Sequence, residues 1–252
     1  MWKPLALETR YELTKLVRTP VFTFMTLGFP VAFYLMFGVA LAGSRATGGV
    51  DLATPMLGTY GAFGVIGAAL FSFGVGVAVE RAQGWLLVKR ASPMRPLHYV
   101  IGKAGACMAF CGVIVVVLGL CGTLLGGVRL PAHQWLALTA ALVLGSLPFS
   151  ALGLAVGFAV GPNSAPALAN LIHLPGAFVG GLWMPVEILP NAIRSIAPFL
   201  PQYHLGQLAL SAIGQNRAPS PAWNVACLAA WTVIAAVLAV VAIRRDEGRT
   251  YG

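Results

Sequence analysis

Residues 52–79 and residues 104–128 each run without a single charged side chain. A bilayer core of ~30 Å is crossed by about 20 apolar helical residues. Both runs are therefore long enough to span, and little else suits such a sequence. The rest of the chain agrees, being 58% hydrophobic and only 9% charged, with a mean hydropathy of +0.84. A soluble domain carries ~25% charge, so the sequence describes an all-α integral membrane protein. The net charge of +9 would suit nucleic acid if it lay on a soluble face. Here the basic residues fall at the ends of apolar runs, where they set topology and meet headgroups, and nucleic-acid binding is set aside.

Between the two uncharged runs lies a polar island, residues 80–103, with Arg81, Lys89, Arg90, Arg95 and Lys103 against Glu80 alone. The positive-inside rule makes it cytoplasmic. Residues 81–90 can form a short helix with Trp85, Leu86 and Val88 as apolar contacts, stopped by Ser92-Pro93. Such a helix between two spans is what a membrane protein needs to take force from a soluble partner. A charged loop held against the headgroups is the other reading, and the residues of the loop leave both open.

Residues 2–18 are amphipathic. Leu5, Leu13, Leu16 and Val17 can share one face, while Glu8, Arg10, Glu12, Lys15 and Arg18 occupy the remainder. A helix of this kind lies in the interface plane, as a topology anchor or as a lateral connector to a cytoplasmic subunit. Ala40-Leu41-Ala42 resembles a signal-peptidase site, but the leader and the apolar run before it are too long, and an uncleaved first span is expected.

Six spans are expected, at about 21–43, 55–79, 104–126, 135–160, 167–183 and 222–243. The second is rich in glycine, and Gly153, Gly157 and Gly161 recur at intervals of four in the fourth. Small residues so spaced let helix backbones approach closely in lipid. Pro148 is expected to bend the fourth span. The fifth carries Asn170, His173 and Pro175; the two polar groups either hydrogen-bond across helices or meet a transported molecule. Residues 182–214 break the pattern. Pro185, Pro190, Pro198 and Pro201 cut them into pieces too short to span, as in re-entrant or interfacial helices. Glu187 there can cap, pair with Arg194, or close an outer gate.

Six spans place both termini on one side, which makes charge a test. Twelve of the sixteen Lys and Arg residues fall on the side of the island and four on the other, giving N-in, C-in. Trp135, Trp183 and Trp223 then form an outer aromatic belt.

Chemistry of its own is hard to find in the chain. Gly102-Lys103-Ala104 lacks the earlier glycine and the hydroxyl residue of a phosphate loop, and no H-E-x-x-H or G-x-S-x-G occurs. Cys107 and Cys111 share a helical face, but with no His or carboxylate nearby they read as apolar filler, and no metal site or disulfide framework is expected. The seven acidic residues lie mostly at the cytoplasmic ends, leaving no proton relay through the membrane. If the chain moves something uphill, the energy arrives from another polypeptide. The competing readings are a gradient-driven carrier or channel, and a membrane-embedded enzyme acting on lipid through His173 or Glu187. The carrier needs inverted halves or intramembrane charge, and the proline-broken stretch has no counterpart in the first half.

The order of parts resembles the transmembrane subunit of type-2 ATP-binding cassette exporters, the ABC-2-type permease family. It rests on an amphipathic N-terminal segment, six spans, the island ERAQGWLLVKRASPMRPLHYVIGK, and GLWMPVEILPNAIRSIAPFLPQYHLGQL with its Gly–x–x–x–Pro–x–Glu–x–x–Pro pattern and Pro-x-x-His element. It covers essentially the whole chain as one transmembrane domain: a connecting helix at 1–19, spans one to four at 20–160, and spans five and six at 161–252. The resemblance implies a dimer of permease chains, identical or paired with a sister, driven by separate cytoplasmic ATPase subunits that hold the ATP and Mg. It implies a bacterial cytoplasmic membrane and no cofactor on this chain. Residues 80–92 would be the coupling helix, with Glu80, Arg81, Gln83, Gly84, Trp85, Lys89 and Arg90 at the ATPase, and Glu12 and Lys15 of the connecting helix beside them. Residues 182–214 would be the outer re-entrant segment, with Pro185, Glu187 and Pro190 as its gate. The cargo route would follow spans one, two and five past Tyr60, Asn170 and His173. A hydrophobic or amphipathic small molecule suits so apolar a chain.

Overall fold

The computed structural model describes residues 2–40, 51–85, 96–215 and 219–251, and all regular structure among them is helical. Helix α1 is Trp2–Arg18, and α2 occupies residues 20–40. Helix α3, Ala53–Ala82, is followed by α4, Pro96–Leu124, and α5, Ala132–Ala159. Helix α6 is Ala165–Val179, α7 is Asn191–Ile196, α8 is Pro201–Ala212 and α9 is Pro221–Tyr251. Most of α3, α4, α5 and α9 is long and apolar enough to cross a bilayer, whereas Phe24–Ala40 of α2 and the whole of α6 are apolar but shorter.

Helix α3 is the hub. It is apolar all round, which is the pattern of a helix buried on every side, and 78% of its apolar window is buried against 17% for α9. Its glycines face different neighbours. A Cβ at Gly58 would touch the Ala209 backbone of α8, at Gly64 Ile114 of α4 and Pro30 of α2, and at Gly67 the His173 ring of α6. Across the α3–α5 crossing the roles reverse. A Cβ at Gly157 would stand 2.8 Å from the Phe73 carbonyl oxygen, and one at Gly153 3.0 Å from that of Leu70. Of the expected stripe at intervals of four, Gly153 and Gly157 are close-packed and Gly161 faces open space.

Proline and small residues set the irregularities. α2 opens into π-helical turns at Phe24–Gly28 and Tyr34–Ala40, on either side of the stretch holding Pro30, and α3 does so at Phe71–Val75. The bend expected at Pro148 lies two residues earlier. α5 breaks at Gly145 and Ser146, the Ser146 hydroxyl donates to the Val143 carbonyl at 2.7 Å, and Pro148 sits in the first turn of the new half, where its missing N–H costs nothing.

The proline-cut segment after α6 forms short pieces as the sequence predicts: a 3₁₀ turn at Val186–Ile188, then α7, a second 3₁₀ turn at Ala197–Phe199, and α8. Helix α8, however, is no surface helix. It packs on α3, α5 and α9 with Gln202, His204, Leu205 and Ala209 buried. The His204 ring bridges the Pro198 carbonyl and the Asn224 amide oxygen, each at 2.9 Å, so the segment is pinned to α9. Within α6, Pro175 cannot bond the Leu171 carbonyl. One residue further on, the Gln202 amide donates to the Ile172 carbonyl at 3.1 Å.

Candidate functional site

Buried charge in an apolar bundle is expensive unless paired and hydrogen-bonded, which makes the end of α3 the place to look. Glu80 lies in its last turn and is buried, as are Glu12 of α1 and Lys103 of α4. The Lys103 ammonium donates to Glu12 Oε2 at 2.7 Å and to Glu80 Oε1 at 2.8 Å. The Tyr99 hydroxyl donates to Glu80 Oε2 at 2.5 Å, and Lys15 closes on Glu80 Oε1 from the half-exposed edge. Two carboxylates thus meet two ammonium groups, and the cluster is neutral as a unit. Three helices distant in sequence are fastened by it at one point.

Sequence makes this possible through glycine. Gly102 and Gly105 let α1 lie directly on α4, and a Cβ at Gly102 would stand 2.7 Å from the Glu8 side chain. The amphipathic face expected of α1 is accordingly turned: Glu8, Glu12, Leu13 and Leu16 point inward, whereas Leu7, Tyr11 and Val17 are exposed with Arg10 and Arg18. The local pattern of α1 reads its carboxylates as solvent-facing because it carries no sign of Lys103, which lies 91 residues from Glu12.

Arg81 belongs to α3 rather than to a separate helix. Its guanidinium donates to the Phe158 carbonyl at 2.5 Å and the Val160 carbonyl at 2.9 Å, and pairs with Asp246 of α9 at 3.0 Å. A cation at a helix C-terminus satisfies carbonyls left without intrahelical donors. Arg81→Met is expected to cost about 1.5–3 kcal/mol, the range for hydrogen bonds to a charged group, read as a lower unfolding midpoint in detergent.

Beyond Arg81 the chain turns at Gly84, whose φ of +74° suits glycine. Gln83 and Trp85 are exposed there, Trp85 by 50%. Lys89 and Arg90, with the rest of the coupling segment expected at 80–92, lie outside the described residues. The residues assigned to ATPase contact therefore divide. Glu12 and Glu80 are spent inside the chain, Arg81 holds α5 and α9, Lys15 sits at the edge, and Gln83, Gly84 and Trp85 lie on the surface turn.

The residues expected along a cargo route divide likewise. Tyr60 and His173 are buried in one aromatic series. The His173 ring stacks on Phe63 at 4.4 Å with its Nε2 3.1 Å from the Phe63 carbonyl, Phe63 and Phe33 both contact Trp183, and Phe33 reaches Tyr60 at 6.3 Å. Asn170 is exposed on α6 with Leu171. Glu187 is exposed in the 3₁₀ turn after α6, and Pro185 and Pro190 are exposed on either side of that turn. Glu187 and Arg194 form no ion pair among the described residues. Tyr99, Asp246, His204 and Asn224 carry contacts that sequence reasoning missed. Only the Pro-x-x-His spacing hinted at one of them.

Residues 52–241 match the family model for ABC-2 family transporter proteins. A protein of Bacillus subtilis (strain 168) bearing the name "Putative transport permease YvfS" is 27% identical over 237 residues, covering 94% of this chain and 95% of its own. With the matched residues running from the start of α3 through most of α9, the chain belongs to the ABC-2 transporter family.

Proposed function

We propose that the chain is a permease subunit of an ATP-binding cassette exporter, crossing the membrane six times with both termini in the cytoplasm. Family membership and the name of the Bacillus relative support the transport role. Four helices, α3, α4, α5 and α9, are long and apolar enough to cross; the shorter apolar α2 and α6 would make the other two crossings, and the distribution of Lys and Arg supports the orientation. Two copies, or one copy and a sister chain, enclose the route, and separate cytoplasmic ATPase subunits bind ATP and Mg.

One observation carries this reading: the ionic cluster fastens α1, α3 and α4 together immediately before the chain turns outward at Gln83-Gly84-Trp85. Force applied to that turn enters three helices at once. Glu12, Lys15, Glu80 and Arg81 brace the turn. Contact with the ATPase falls to Gln83, Gly84 and Trp85, continued by Lys89 and Arg90. The aromatic series through Tyr60 and His173, with Asn170 beside it, favours a hydrophobic or amphipathic small molecule as cargo. The Pro185–Glu187–Pro190 turn, at the other end of α6, restricts its exit.

Trp85→Ala tests the coupling. An exposed aromatic that seats in a partner's groove is worth on the order of 2 kcal/mol or more. Co-expressed with its ATPase, the variant is expected to insert normally and to lose most of its control over ATP hydrolysis. Unaltered coupling in Trp85→Ala and in Gln83→Ala would remove the turn from the interface.

A further inference from the structure

Because α1 spends its carboxylates inward, its outward face has an unusual character. Leu7, Arg10, Tyr11, Thr14, Val17 and Arg18 follow one another at helical spacing along it, and Leu7, Tyr11 and Val17 are 65%, 57% and 56% exposed. Glu8 lies against Gly102, and Glu12 is buried on Lys103. The face is therefore apolar and cationic without an acid, and neither Arg10 nor Arg18 has an ion-pair partner among the described residues. Only Thr19 separates α1 from the apolar α2, so with α2 in the bilayer α1 lies at its boundary.

From this geometry we infer that the outward face of α1 is a binding surface for anionic phospholipid headgroups. Apolar side chains among cations are what a helix needs to lie in the interface, with the chains entering the acyl boundary and the cations meeting phosphate. A soluble acidic groove would match the two arginines but would leave Leu7, Tyr11 and Val17 no better placed than in water. The inner cluster and the outer face are two sides of one arrangement. Pairing Glu12 with Lys103 removes a negative charge that would otherwise repel the leaflet. The inference rests on the membrane placement of α2 and not on ATPase coupling.

The test uses the full chain in detergent, without any ATPase, offered equal phosphatidylglycerol and phosphatidylcholine and read by native mass spectrometry. The wild type is expected to retain phosphatidylglycerol preferentially. Each arginine near a charged surface changes binding on the order of fivefold at moderate salt, so Arg10→Gln with Arg18→Gln should abolish most of the preference. Thr14→Glu, which adds an acid to the middle of the face and touches nothing inside, should weaken it independently. Arg244→Gln with Arg245→Gln, a second exposed basic pair on α9, should leave it intact. Equal retention of the two lipids by the wild type would overturn the inference. So would a preference that survives both α1 variants, or one that falls equally in the α9 variant. If the α1 variants kept their lipid preference and, in a separate co-expression with the ATPase, failed to retain it, the face would belong to that protein instead.

Discussion

Lys103→Met is expected to destabilise the protein by about 3–5 kcal/mol, the cost of breaking a buried ion pair by removing one partner. The ammonium is almost wholly buried and serves two buried carboxylates at once. Without it Glu80 keeps Lys15 and Tyr99, but Glu12 loses its lysine, and both carboxylates stay out of water. The substitution is close in volume, so the loss reports charge rather than a cavity. The triple variant Glu12→Gln, Glu80→Gln and Lys103→Met removes all three buried charges together. It should recover a large part of the stability, because a buried pair compared with neutral replacements is often worth little. Unfolding midpoints in one detergent decide the matter. A single variant within about 1 kcal/mol of wild type, or a triple variant worse than the single, would show that the cluster is not a closed electrostatic unit.

The second large effect is expected at Gly157. A Cβ there meets the carbonyl oxygens of Phe73 and Gly74 at 2.8 and 2.9 Å, and both are backbone atoms of a helix gripped from every side. Overpacking of a core costs about 1–3 kcal/mol where side chains can give way. Here nothing can give way except the helix axes, so Gly157→Leu should reach or exceed the upper end of that range. Gly161→Leu, just past the end of α5 and facing open space, should be close to neutral. Helix propensity alone would favour leucine over glycine within α5, so a loss at Gly157 reports packing, and the open position measured under identical conditions gives the baseline. Equal losses at the two positions would refute the packing account.

The sequence carries the architecture through its absences. Uncharged runs locate the long helices closely; the second span is expected at 55–79 and α3 is Ala53–Ala82. The third span is expected from residue 104, whereas α4 starts at Pro96, inside the polar island, so that Tyr99 and Lys103 are helical. Charge patterning assigns such residues to water. Only the tertiary fold reveals that Lys103 has two carboxylates waiting for it, one of them on α1. The glycine spacings were legible as close contacts, but their partners were not, because small residues record proximity without saying to what. The aromatic series shows the same limit. His173 stood out as a polar residue in a span, yet its stacking on Phe63 depends on the α3–α6 crossing, which no local pattern encodes.

The encirclement of α3 has a mechanical corollary. Thirty helical residues extend about 45 Å, and along that length the glycine contacts bring neighbouring helices almost to touching backbone on several sides. A rod seated this tightly has no soft direction in which to absorb a push. On the proposed coupling, a displacement imposed beside Trp85 would move α3 together with the helices that grip it, and between Trp85 and Tyr60 the one departure from α-helical geometry in that rod is the π-helical turn at Phe71–Val75.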